Sequence, residues 1–148
     1  VDRIFADGVE ADIQADLSSL VTLTTRYLYS RSRIRRSPDQ PALVGKRLAQ
    51  IPSHQGSVGL SWRPTPRWQV DAVVRGASRQ FEDDLNERIL SGYVTLDLSL
   101  AYELSENLNA YSSVENVFDR TIESGRSDSG LVSIGPSRLM TAGVRMTF

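Results

Sequence analysis

The sequence predicts an all-β chain, an antiparallel up-and-down meander of about seven strands that forms part of a larger transmembrane β-barrel. Three observations lead to this fold class. Apolar and polar residues alternate with a period of two in several segments. The connections between those segments alternate between short and long. Two of the segments are also well above the mean strand length of about 5 to 6 residues.

The alternation is clearest in GYVTLDLSLAYE, residues 92–103. Val94, Leu96, Leu98, Leu100 and Tyr102 fall on one face, and the residues between them are mostly polar. The same pattern occurs in GVEADIQAD, in WQVDAVVRGAS and in the last residues, AGVRMTF. A helical period appears only weakly, around residues 83–90. The predicted strands cover residues 4–16, 20–34, 53–62, 68–80, 92–103, 108–118 and 137–148.

The connections predict which rim of the sheet carries which loops. RPTPR and LSEN are short and rich in turn formers, whereas RRSPDQPALVGKRLAQIP, FEDDLNERILS and DRTIESGRSDSGLVSIGP are long and polar. In an antiparallel meander, successive connections lie at opposite rims. One rim therefore has only short turns and the other only long loops, which is typical of outer-membrane barrels.

A soluble sheet with one apolar face shows the same alternation, so a free-standing soluble β-sheet binding module is the alternative. Aromatic residues favour the membrane interpretation. The short-turn side carries Trp62, Trp68, Tyr102 and Phe148, and Tyr27 and Tyr29 lie toward the opposite rim. Amphipathic rings at both rims are expected where a barrel meets the two lipid interfaces.

Composition argues against several function classes. Lys and Arg number 17 and Asp and Glu 18, so no net positive charge attracts nucleic acid. There is no Cys, which excludes thiolate zinc sites and Cys nucleophiles. The single His54 has no second His, and no nucleophile-elbow motif is present, so we expect no catalytic residue, metal or cofactor. The first residues predict no signal peptide, and no segment predicts a spanning helix.

Charged residues suggest two kinds of contact. RSRIRRS supplies Arg33, Arg35 and Arg36 to an external loop, and Arg126 lies in another. Such a run is either simply solvated or a basic patch that meets lipopolysaccharide phosphates or an anionic ligand. Asp83 and Asp84 are predicted to be solvated loop residues, with calcium binding as the minor alternative.

Five charged residues are predicted to face the lumen, where they pair across the inner wall. Charge is tolerated there, whereas charge facing lipid costs about 2–4 kcal/mol at mid-depth. The five are Asp71, Arg75, Asp97, Glu115 and Arg145.

Five stretches resemble, in order, the C-terminal part of a TonB-dependent outer-membrane receptor. They are ADGVEAD, TTRYLYSRSRI, QIPSHQGSVGLSW, SGYVTLDLSLAYELSENLNAYSSVENVFDRTIE and GPSRLMTAGVRMTF. The combination of ENVFDR with a terminal Phe is the specific part. Two departures occur: Ser137 stands where Pro commonly precedes Arg, and Met146 stands where an aromatic is frequent.

The resemblance implies that residues 1–148 are the C-terminal part of a receptor barrel, without its plug domain and N-terminal strands. It implies a transporter in the bacterial outer membrane that takes up a scarce nutrient, such as a siderophore-iron chelate, with TonB-coupled energy. The implied partners are outer-membrane lipid, the barrel assembly machinery, the plug, TonB and a metal-chelate ligand. The resemblance also implies that the five lumen-facing residues contact the plug where they do not pair across the inner wall. The resemblance also implies that His54 is a structural residue at the rim. It implies that Val144, Met146 and Phe148 form a signal for barrel assembly. A barrel-embedded hydrolase would need a catalytic set that is not seen.

Seven antiparallel strands leave two unpaired edges, which lipid does not tolerate. We therefore expect the isolated segment to self-associate in water.

Overall fold

The computed structural model describes residues 2–147, and its main feature is one seven-stranded antiparallel sheet in sequence order. Each strand pairs with the next along the chain, which confirms the predicted meander. The seven strands are β1 (Arg3–Ser18), β2 (Val21–Arg36), β3 (His54–Thr65), β4 (Trp68–Ala77), β7 (Tyr93–Ser105), β8 (Leu108–Glu115) and β11 (Leu139–Met146).

Two small hairpins lie inside the long connections and were not predicted. One joins β5 (Gln80–Phe81) to β6 (Ile89–Leu90), and the other joins β9 (Glu123–Arg126) to β10 (Val132–Ile134). A 3-10 turn at Pro41–Leu43 is the only helical element in residues 2–147. No helix in this range is long and apolar enough to cross a membrane.

The connections alternate as predicted. Two residues join β1 to β2, β3 to β4 and β7 to β8, and all three of these turns are at the same rim. The opposite rim carries the three long connections, residues 37–53, 78–92 and 116–138. The short and long rims are therefore the two ends of one sheet, which is the asymmetry expected of an outer-membrane barrel wall.

Several predicted strand ends were wrong, for local reasons. β2 continues to Arg36 because β1 pairs with it throughout and the backbone of Gly45 and Lys46 hydrogen-bonds Ile34 on its other edge. β8 ends at Glu115 because Asn116 has φ +51°, outside the strand region. β4 ends at Ala77, and β11 begins at Leu139. Phe148 lies outside the described residues.

The sheet has almost no apolar core. Within residues 2–147 the buried apolar side chains are Ile34 and Leu90, both at the long-loop rim. Most of the large apolar side chains of the alternating segments are instead exposed. They include Val9, Ile13, Leu17, Val58, Leu60, Trp62, Val74, Val94, Leu98, Leu100, Met140, Val144 and Met146. A soluble sandwich would cover this face with a second sheet, whereas in the described part of the chain these side chains stay exposed.

Candidate functional site

The polar face of the sheet is held by an ion pair between adjacent strands. Arg75 on β4 donates from Nε to Oδ2 of Asp97 on β7, at 2.8 Å. Asp97 lies diagonally across from Arg75 in the register, within reach of a long side chain. The Asp97 side chain is 15% exposed and the Arg75 side chain 55%. The carboxylate is thus the more enclosed partner.

The same carboxylate fixes the loop that follows β8. Oδ1 of Asp97 accepts a hydrogen bond from the backbone N–H of Asn116, at 2.8 Å. The Asn116 side chain is bonded in turn to the backbone N–H and C=O of Arg120. Asp119 accepts from the backbone N–H of Arg138, so the loop is also tied to the start of the last strand. The ENVFDR stretch therefore links β7, β8 and β11.

The remaining predicted lumen residues lie on the same face as Arg75 and Asp97. Asp71 accepts hydrogen bonds from Gln69 Nε2 and from Ser99 Oγ. The strand registers put Glu115 and Arg145 on this face as well. The structure thus assembles all five residues on one surface, and their contact with a plug stays a prediction.

A close aromatic contact supports the end of this face. In the β8–β11 register Tyr111 is opposite Gly143, and a Cβ at Gly143 would lie 2.6 Å from the Tyr111 hydroxyl oxygen. The Tyr111 ring therefore lies across the glycine, an arrangement that stabilises glycine in a strand. This contact explains why a glycine, Gly143, occupies its position in the terminal stretch AGVRMTF.

A shallow cavity of about 350 Å³ lies farther along the sheet, toward the long-loop rim. Its charged lining consists of Glu10, Asp12, Arg26 and Arg75. Arg26 pairs with Asp12 across β1 and β2, at 3.2 Å. The cavity therefore continues the line of opposite charges on the polar face.

The long loops contain a second group of charges. Asp83 accepts hydrogen bonds from the backbone N–H groups of Glu87 and Arg88, and the Arg88 guanidinium is 3.8 Å away. Burial alone raises the pKa of Asp83, but these hydrogen bonds and the Arg88 charge outweigh it and lower the pKa. Asp83 therefore closes a turn. Within residues 2–147 no cluster of three or more potential metal ligands is found.

Arg126, predicted to lie in a loop, is in fact in β9. It donates to Glu123, at 3.1 Å, and Glu123 accepts a second hydrogen bond from the backbone N–H of Ser91. The Ser91 hydrogen bond and the Arg126 charge lower the pKa of Glu123. Arg126 thus helps to join the two loop hairpins.

The arginines of RSRIRRS are also strand residues, which corrects the predicted external loop. Arg33, Arg35 and Arg36 all belong to β2 and are exposed. The Arg35 guanidinium carbon lies 5.3 Å from the ring centroid of Phe5 on β1. Arg33 is directly opposite Phe5 in the register.

Aromatic side chains mark both rims of the apolar face. At the short-turn rim, Trp68 and Tyr102 are opposite each other, with ring centroids 4.3 Å apart. At the other rim, the Tyr27 hydroxyl lies 2.7 Å from His54 Nδ1, and the Tyr29 and His54 rings are 5.1 Å apart. His54 is thus part of an aromatic cluster at the rim.

A comparison with protein families decides the assignment. Residues 1–117 match the family described as TonB dependent receptor-like, beta-barrel. The chain belongs to the TonB-dependent receptor family. It is part of an outer-membrane barrel, and its family is one of receptors.

Relatives of this receptor segment include a named receptor and a named outer-membrane protein. The ferrioxamine B receptor of Salmonella typhimurium is 26% identical over 157 residues, covering 100% of this chain and 22% of that protein. The iron-regulated outer membrane virulence protein of Vibrio cholerae is 26% identical over 126 residues, covering 82% of this chain and 19% of that protein. The chain therefore spans about a fifth of the length of these relatives.

Solved structures share the fold of the segment. The ferric yersiniabactin uptake receptor of Yersinia pestis superposes with a TM-score of 0.88 at 20% identity, covering 99% of this chain and 24% of that one. A siderophore receptor of Acinetobacter baumannii gives 0.86 at 18% identity, covering 99% and 22%. These likenesses confirm the barrel strands.

Sequence reasoning missed two features of the TonB-dependent receptor segment. Asn116 is 5% exposed, has φ +51° and bonds both Asp97 and Arg120. An Asn directly after a strand is a signal for this left-handed conformation, since Asn tolerates it better than most residues. Arg31 was also not singled out, although it lies on the same strand as the other arginines.

Proposed function

We propose that this chain is the C-terminal part of the barrel of an outer-membrane transporter that takes up a ferric chelate with TonB-coupled energy. The observation that carries the proposal is the division of one sheet into two faces. One face is an exposed apolar band, and the other holds the Arg75–Asp97 pair and its neighbours. Such a wall suits lipid on one side and a polar lumen on the other.

The names of relatives support an iron chelate as the cargo. Those relatives include a ferrioxamine B receptor and an iron-regulated outer membrane virulence protein, and the structural neighbours include a ferric yersiniabactin uptake receptor and a ferric citrate transporter. These names cover different chelates. The particular chelate depends on the plug and all the external loops, and this chain contributes three long loops.

The lumen residues would contact the plug in this proposal. Asp71, Asp97 and Glu115 supply acidic groups to the polar face, and Arg75 and Arg145 supply basic ones. Arg75 is half exposed despite its ion pair, so a second acceptor from the plug has access to it. A polar wall of this kind supports a plug that is held by many individually weak contacts.

For the ligand, Arg36 and Arg126 are the candidates at the long-loop rim. Both are cationic side chains near the outer ends of the strands, where they raise the local concentration of an anionic chelate. We propose binding and transport without catalysis, because His54 is engaged with Tyr27 and belongs to the rim.

The end of the chain is proposed to act as the signal for barrel assembly. Val144 and Met146 are on the apolar face of β11, and Phe148 would continue their alternation. Deletion of Phe148 from the complete receptor is expected to lower the amount of heat-modifiable barrel in the outer membrane. An unchanged amount would contradict the assembly role.

The main test is uptake by the complete receptor in cells that lack other TonB-dependent receptors. Iron-55 complexes of ferrioxamine B, citrate and a catecholate are supplied under iron limitation, in strains with and without TonB. We expect TonB-dependent uptake of at least one complex. The variants R36Q and R126Q are expected to raise the KM for the transported complex several-fold. Cationic side chains at the rim speed the diffusional encounter with an anionic chelate, and each variant removes one of them.

The matched control is R67Q, which removes the same charge from the short-turn rim, where Arg67 is exposed. Its KM should equal that of the wild type. Uptake of none of the three complexes, or uptake that persists without TonB, would contradict the proposal. In water without detergent, the isolated segment is expected to elute as oligomers in sizing chromatography, and a monodisperse monomer would contradict lipid exposure of its apolar face.

A further inference from the structure

A column of three arginines extends along β2 beyond its apolar part. Arg31, Arg33 and Arg35 occupy alternate positions and are exposed. The residues between them, Ser32 and Ile34, are only 4% and 6% exposed. Since successive side chains of a strand point to opposite sides, the three arginines share one face.

This face is the apolar, outward one. Tyr27 and Tyr29 precede the arginines at the same spacing and belong to the aromatic cluster with His54. The contact of Arg35 with the Phe5 ring keeps the column on this side, although the strand register shifts at Arg35. The arginines therefore continue the lipid-facing column of β2 beyond its aromatic rim.

The depth of the column matches the lipid headgroups. With a rise of about 3.3 Å per residue and a strand tilt of about 40°, every two residues advance about 5 Å along the membrane normal. Arg31 thus lies about 5 Å beyond Tyr29, and Arg33 about 10 Å beyond it. The headgroup layer on each side of the bilayer is about 5–8 Å thick. Arg31 and Arg33 are therefore at or just outside that layer.

Within residues 2–147 the column has no ionic partner. None of the ion pairs formed among residues 2–147 includes Arg31, Arg33 or Arg35. Asp7 is opposite Arg31 in the register, yet it forms no ion pair with it. Guanidinium groups suit phosphate because their parallel N–H donors bind its oxygens in pairs.

We propose that Arg31 and Arg33 bind the phosphate groups of outer-leaflet lipid and hold that lipid against the barrel wall. The inference rests on the outer-membrane location and the external position of the long loops, and it adds a lipid site to the proposed transporter. A ferric chelate is a less suitable ligand for these arginines. The column is on the outward face, whereas the proposed path of the chelate is the lumen, which is lined by the Arg75–Asp97 pair.

The test measures lipid retained by the complete, detergent-purified receptor, using native mass spectrometry with bis-phosphorylated lipid A as the probe. The double variant R31Q/R33Q is compared with the wild type. Basic residues near an anionic membrane surface each change binding about fivefold, so two of them give about 30-fold weaker retention. Dephosphorylated lipid A should bind the wild type only as well as intact lipid A binds the variant.

The matched control is R79Q/R120Q, which removes two exposed loop arginines that form no ion pair in the described chain. It should retain lipid A like the wild type. Equal retention by R31Q/R33Q and wild type, equal losses in both double variants, or undiminished binding of dephosphorylated lipid A would each overturn the inference.

Two further measurements keep the result interpretable. If R31Q/R33Q does not assemble into heat-modifiable barrel, the single variants R31Q and R33Q replace it, each with an expected loss of about fivefold. Uptake of the iron-55 complexes is measured in the same strains. Normal lipid retention without uptake contradicts the transport proposal alone, and normal uptake with unchanged lipid retention in R31Q/R33Q contradicts the lipid site alone.

Discussion

Replacement of Leu98 by Arg tests which face of the sheet meets lipid. Leu98 is 40% exposed on the apolar face and lies four residues from Tyr102 of the short-turn rim. With about 2.5 Å of depth per residue, it lies about 10 Å from that rim, near the middle of an apolar band of about 25 Å. At this depth an Arg on the lipid side costs about 2–4 kcal/mol. The folding equilibrium should therefore fall by about 30-fold to 1,000-fold.

Two variants are matched to it. Ser99→Arg puts the same charge on the adjacent residue of the polar face, beside Asp71, and should cost less than about 1 kcal/mol. Val94→Arg stays on the apolar face, but about 20 Å from the Tyr102 rim, where an Arg costs about 0–1 kcal/mol. A cost of Arg that falls from the middle of the apolar band toward its edge indicates that the face meets lipid. A protein core has no membrane midplane and would not show this dependence on depth.

The assay is urea unfolding of the complete receptor in phosphatidylcholine vesicles, followed by tryptophan fluorescence. Each variant is first checked for heat-modifiable mobility, so that only assembled barrels are compared. A cost for Ser99→Arg equal to or above that for Leu98→Arg would refute the assignment of the faces. Equal costs for Val94→Arg and Leu98→Arg would refute the depth argument.

Three further predictions concern the polar face and the long loops. Asp97→Ala should cost about 1–3 kcal/mol in the same unfolding assay, because it leaves the backbone N–H of Asn116 without its partner. Arg75→Ala should cost under about 1 kcal/mol, because the Arg75 side chain is half exposed. Equal costs for the two variants would contradict this prediction. Asn116→Ala should be about 1 kcal/mol less stable than Asn116→Gly, since only glycine adopts φ +51° freely, and no difference in urea midpoint would argue against backbone strain. Because the pKa of Asp83 is lower in the folded chain than its unfolded value of about 4, the ionised carboxylate stabilises the turn at pH values above about 4. This stabilisation is lost as the pH falls from about 4 through the folded pKa. The protection factor of the Arg88 amide, which is its hydrogen-exchange rate relative to the intrinsic rate at the same pH, should therefore fall below about pH 4. In Asp83→Asn it should show no such step.

Part of the polar face could be predicted from residue order alone. Asp71, Arg75 and Asp97 were assigned to one face because side chains alternate within a strand. The pairing of Arg75 with Asp97 could not be predicted, because it depends on the register between β4 and β7. Arg35 and Arg36 were assigned to a loop because no local signal shows that β1 pairs with β2 as far as Arg36.

The sequence by itself determined the seven strands of the main sheet, their meander order, the short and long rims and the division into two faces. These features follow from a local period of two and from turn chemistry, which need no distant partner. Only the tertiary structure decided the strand ends, the role of Asn116 and the outward direction of the arginine column. Each of these depends on hydrogen bonds or contacts between residues far apart in the chain, such as Asn116 with Asp97 and Arg35 with Phe5. Register and pairing, rather than composition, bring such residues together.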